Sequence, residues 1–148
     1  MGLSLLATTD TQIIRVIEAL YNQRPGNTYL SNYQTFVTEN SIDGFANALA
    51  ANFSSSTDAE LAAIVTGNLG LTGDAVTAGN DYLEGQFAAY PTERGAVILA
   101  AMNELATMES DATYGAAAAL FNADVTASLT YSSVATNTAV VSSDAASD

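Results

Sequence analysis

Thr9-Asp10-Thr11-Gln12-Ile13-Ile14-Arg15-Val16-Ile17-Glu18-Ala19-Leu20-Tyr21 sets the period on which the whole chain is built. Its apolar residues Ile13, Ile14, Ile17, Leu20 and Tyr21 recur at spacings of three and four, which puts them on one face of an α-helix. Thr9-x-x-Gln12 ahead of them has the residue types of a capping box, where a hydroxyl and an amide satisfy free N–H groups of the first turn. This helix is expected to run to about Asn22.

The same period continues toward the C-terminus. Arg24-Pro25-Gly26-Asn27 reads as a turn, with Asn27 placed to cap a second helix carrying Leu30, Tyr33, Phe36 and Val37. Ser41 is the expected cap of a third helix with Ile42, Phe45, Leu49 and Phe53 on one face, and Asp43-Gly44 falls in its first turn. Ser54-Ser55-Ser56 ends it. Thr57-Asp58-Ala59-Glu60 is a second capping box, followed by Leu61, Ile64, Val65 and Leu69. Gly70 and Gly73 bracket a loop before a helix from about Asp74 to Tyr90. Pro91 is expected to open the next helix, with Val97, Ile98, Met102, Leu105 and Met108, and the last helix spans about Asp111 to Tyr131. No strand-like alternation competes. The sequence predicts an all-α fold, an irregular compact bundle of about seven short helices. Residues 132–148 have no aromatic residue and no period, so they are expected to form a flexible low-complexity tail or linker after a helical domain of residues 1–131.

The 148 residues fit one domain, large enough to bury a core without disulfides or metals. There is no His, Cys, Trp or Lys, and the only cations are Arg15, Arg24 and Arg94, against 16 carboxylates and a net charge of −13. Without His or Cys, most nucleophile–base pairs and zinc sites are excluded. Without Lys there is no Schiff-base chemistry and no phosphate-binding P-loop. Three arginines in this field give no basic footprint for nucleic acid, so no nucleic-acid partner is expected. The longest apolar runs fall far short of the ~20 residues of a membrane span. Met1-Gly2-Leu3-Ser4-Leu5-Leu6-Ala7 has no basic n-region of a secretory signal.

Carboxylates are the only plentiful ionisable groups. Glu104, Glu109 and Asp111 cluster near a helix junction, and a glycosidase needs two carboxylates across a cleft. They read better as solvated residues, with Asp111 a helix cap. Asp74, Asp81 and Glu84 offer oxygen ligands of the kind Ca²⁺ takes, without the spacing of an EF-hand loop. Arg24, Asn27, Tyr29, Asn32 and Tyr33 form the candidate glycan site. Tyrosine rings can stack on a sugar face while amides and a guanidinium bond its hydroxyls, and Tyr29 and Tyr33 share a helix face.

Leu20-Tyr21, then Arg24-Pro25-Gly26, then Tyr29-Leu30 and Tyr33 resemble a helical module of type-I-secreted, calcium-dependent bacterial surface proteins of the RTX class. The spacing is also similar to the N-terminal cell-anchoring region of alpha-proteobacterial S-layer proteins, and Phe45-x-x-x-Leu49-x-x-x-Phe53 before a Ser-rich break fits it. The chain departs from the pattern at Gly26, where the module has Asp, and its aromatic pair is reduced to Tyr33. The resemblance implies a secreted, cell-surface, non-enzymatic role within a longer protein: anchoring to lipopolysaccharide or another surface polysaccharide, or self-association, with help from Ca²⁺. The alternatives are a protein–protein assembly module and a carboxylate-dependent glycan hydrolase.

Overall fold

The computed structural model describes residues 9–142. Expectations about residues 1–8 and 143–148 lie outside the described residues. The fold is all-α, with seven α-helices among the described residues: α1 Thr9–Tyr21, α2 Asn27–Asn40, α3 Ile42–Ala50, α4 Asp58–Asn68, α5 Asp74–Ala89, α6 Arg94–Leu105 and α7 Gly115–Ser133. A 3-10 turn over Ala51–Phe53 follows α3, and two-residue strands β1 Gln23–Arg24 and β2 Val141–Ser142 pair antiparallel.

Helix α1 is the axis of the molecule. It touches α2, α3, α4, α6 and α7, and every residue from Ile13 to Leu20 is buried. Its sequence gives it an apolar face, but the neighbouring helices also cover the side that carries Arg15 and Glu18. Arg15 is 0% exposed and Glu18 1%. Arg15 Nη1 donates to Asn103 Oδ1 of α6 at 2.8 Å, and Asn103 Nδ2 donates to Gln12 Oε1 at 3.1 Å. Gln12 is thus engaged with α6 instead of closing a capping box, and Thr9 already lies inside the helix. Loss of hydration by burial holds the Arg15 guanidinium below its usual pKa.

Two of the expected caps form as the residue types dictate. Ser41 Oγ accepts from the Gly44 N–H at 3.1 Å. Thr57 Oγ1 accepts from the Glu60 N–H at 3.1 Å while Glu60 Oε1 accepts from the Thr57 N–H at 2.8 Å, a complete capping box. Three others differ. The cap of α2 is Gly26, and Asn27 is the first helical residue. Pro91 lies within a turn closed by the Glu93 N–H on the Tyr90 carbonyl, and α6 begins only at Arg94. Asp111 Oδ2 accepts from the Thr113 and Tyr114 N–H groups, both at 2.8 Å, so it holds the turn before α7, which starts at Gly115.

Asn27 is drawn away from capping by the chain's other end. Its backbone N–H donates to Asn137 O at 2.7 Å and its Nδ2 to Ser132 O at 2.9 Å. Ser132 Oγ donates to Pro25 O at 2.6 Å, and Tyr131 OH to Ala139 O at 2.7 Å. In the small ribbon Gln23 lies opposite Ser142 and Arg24 opposite Val141. A side chain on Gly26 would run into the Thr138 carbonyl, so only glycine allows this approach. The sequence boundary after Tyr131 therefore falls inside α7, and residues 134–142 fold back onto the turn that joins α1 to α2.

Helix α3 and the start of α6 meet backbone to backbone. A Cβ on Gly95 would collide with the Ala46 carbonyl and the Asn47 N–H, so glycine is what lets the two backbones meet. Asn47 Oδ1 accepts from the Ala96 N–H at 2.9 Å and supplies a cap that α6 lacks in its own sequence. Arg94 donates to Phe53 O at 2.7 Å and Ser56 O at 3.0 Å, covering the carbonyls that end the α3 segment, and lies 3.4 Å from Asp58.

Candidate functional site

Helix α2 gives the core one buried side chain, Leu30. Yet it carries Tyr29, Asn32, Tyr33 and Phe36, at positions i, i+3, i+4 and i+7, so the four lie along one stripe. Tyr29 is 45% exposed and Phe36 36%, and Asn32 is exposed. Tyr33 is half-buried and anchors the row. Its ring centroid is 6.5 Å from that of Tyr29 and 5.2 Å from that of the buried Phe45 of α3. Phe36 packs edge-on against Phe45 at 6.2 Å. The outer rings are thus held from behind while one side of each faces water. Among the described residues the Asn32 amide makes no hydrogen bond. Thr35, Thr38 and Asn40 bond back to carbonyls of their own helix, and Gln34 Nε2 donates to Asp10 Oδ1 at 2.8 Å.

Of the expected glycan residues, the structure brings Tyr29, Asn32 and Tyr33 together and takes two away. Arg24 is 3% exposed and faces Asp124 of α7 at 3.7 Å, so it holds the molecule's interior and presents nothing to a ligand. Asn27 is half-buried with its amide engaged by Ser132. Phe36, expected in the core, is the residue that sequence reasoning missed. Its place seven residues after Tyr29 is the signal that could have found it.

The acidic candidates do not converge. Asp74, Asp81 and Glu84 lie on α5 alone, and the first two are about 10 Å apart along the axis at 1.5 Å per residue. One Ca²⁺ with oxygen ligands at roughly 2.3–2.6 Å cannot span them. Among the described residues no group of three or more acidic side chains could hold a metal ion. Glu109 Oε2 accepts from Asn122 Nδ2 at 2.6 Å and Asp111 holds its turn, so neither faces a partner carboxylate across a cleft. The cations are equally withdrawn. Arg15 and Arg24 are buried and the Arg94 side chain is 12% exposed, whereas Glu39, Asp43, Glu60, Asp74, Asp81, Glu93 and Glu104 face solvent. Among the described residues the surface is acidic with almost no positive relief.

Burial raises the Tyr33 pKa above its ordinary value of 10.0, with smaller contributions from Tyr21 and Tyr29. A raised folded-state pKa stabilises the fold below the unfolded value, and that contribution is lost as pH climbs through the folded one. The side chains include no His, Cys or Lys to titrate near neutrality. Urea midpoints are therefore expected to be flat between about pH 6 and pH 9 and to fall above about pH 10. A slope across the neutral range would contradict this.

Among the described residues no helix is long and apolar enough to cross a membrane. No family model, curated protein or solved structure matches the chain.

Proposed function

We propose that this is a non-enzymatic, surface-attachment domain that binds a polysaccharide along the exposed side of α2. The observation that carries the reading is the stripe Tyr29, Asn32, Tyr33 and Phe36, with two rings braced from behind by Phe45 and an unengaged amide between them. Flat rings suit the apolar faces of sugar units, and the amide can donate to and accept from hydroxyls. The missing inventory of bases and nucleophiles supports a binding role over a catalytic one. The bacterial cell surface, and lipopolysaccharide as the glycan, follow from the module that the sequence resembles.

An acidic surface with its arginines largely withdrawn would repel an anionic polysaccharide, and more strongly as salt falls. Divalent cations shared between the carboxylates of the domain and those of its partner relieve that repulsion. Such bridging needs no three-ligand site within one chain. The same logic allows self-association through Ca²⁺, which is the second reading.

Binding of the intact chain to purified lipopolysaccharide polysaccharide, measured by calorimetry with calcium, tests the proposal. Tyr29→Ala is expected to weaken binding about fivefold to tenfold, and Asn32→Ala by a similar amount. Chelator should weaken it further. Full affinity in both variants would refute the α2 site. Calcium-dependent light scattering without any polysaccharide binding would favour the assembly reading.

A further inference from the structure

A cavity of about 180 Å³ opens between α4, α5, α6 and the turn before α7, away from the α2 stripe. Its walls are largely aliphatic, with Leu69, Leu83 and Met102 among them. Tyr82 and Tyr114 also line it, and among the described residues Glu104 is the only charged one in the lining. Thr66, on the same wall, has its hydroxyl engaged by Asn80 Oδ1 at 2.8 Å. The Glu104 side chain is exposed and makes no hydrogen bond or ion pair among the described residues.

We propose that this cavity binds a small hydrophobic organic cation, such as an aryl-alkyl ammonium, with its apolar body against the Leu and Met side chains and its charged head beside Glu104. The volume sets the size. A dry apolar cavity of about 150 Å³ accepts benzene, so this one has room for a single ring with part of a short head. The lining sets the sign. The one charge at the wall is negative, two tyrosines can receive a cation on their ring faces, and none of the three arginines lines the cavity. The net charge of −13 draws cations toward the protein and repels carboxylates, which disfavours fatty acids of similar shape.

Calorimetric titration of the full chain with benzyltrimethylammonium, benzyl alcohol and benzoate tests this. The cation should bind about tenfold more tightly than the alcohol, and benzoate should not bind. Glu104→Gln, at an exposed position, should weaken the cation about fivefold and leave the alcohol unchanged. Glu39→Gln on α2 removes the same charge at a distance and should change neither. Ala101→Phe, which fills the cavity from α6, should abolish binding of both, with a thermal melt to verify the fold. Equal affinity for cation and alcohol, equal effects of the two Glu variants, or no binding of the cation would each overturn the proposal.

Discussion

Gly95→Ala is expected to destabilise the domain by about 3 kcal/mol, the upper end of what overpacking a close contact costs. The new methyl group would point into the Ala46 carbonyl and the Asn47 N–H, which are backbone atoms in the middle of α3 and cannot swing aside as a side chain would. Parting the helices would also loosen the bond from the Ala96 N–H to Asn47 Oδ1 and the Arg94 bonds to Phe53 and Ser56 on either side. The same substitution has the opposite sign elsewhere. At Gly85, inside α5, an added Cβ meets nothing within 4 Å, so Gly85→Ala should gain about 0.5–1 kcal/mol from helix propensity alone. Chemical denaturation of the two variants side by side checks both signs. A Gly95→Ala variant as stable as the parent would mean that α3 and α6 do not cross so closely.

Arg15→Met should cost about 3–5 kcal/mol, although the two side chains are of similar length. The guanidinium is fully buried and bonded to Asn103, and Glu18 is buried one helical turn further along α1. Removing the cation leaves a carboxylate in the interior without the positive charge on its own helix, and leaves Asn103 Oδ1 without its donor. Neutralising both residues, as Arg15→Met with Glu18→Gln, should recover much of the loss, because the penalty lies in the uncompensated charge and not in the missing volume. Thermal melts of the single and double variants decide. If the double variant is no better than Arg15→Met, packing and not charge is what Arg15 contributes.

The helices were legible because their signals are local. Ser41 and Thr57 announce helix starts through their own hydroxyls, and the apolar spacing after them needs no knowledge of the rest of the chain. What was hidden is whatever depends on residues distant in sequence. Nothing in the α1 segment says that five other helices will close around it and bury Arg15 and Glu18. Asn27 has the chemistry of a cap, but Ser132 and Asn137, more than a hundred residues away, use it first. The same contacts turn part of an apparently featureless tail into a strand partner of Gln23 and Arg24. The candidate site was half visible. Tyr29 and Tyr33 could be placed on one face by counting, while the burial of Arg24 and the exposure of Phe36 depend on where α7 and α3 lie.

The placement of positive charge has a chemical consequence. Reagents that modify amines find no lysine side chain to attack, and proteases that cut beside basic residues must reach Arg15, Arg24 or Arg94. The first lies in the middle of the central helix, the second beneath the folded-back C-terminal segment, and the third against the end of α3. A trypsin-like enzyme is therefore expected to cut slowly, at a rate that follows the population of locally or globally opened molecules.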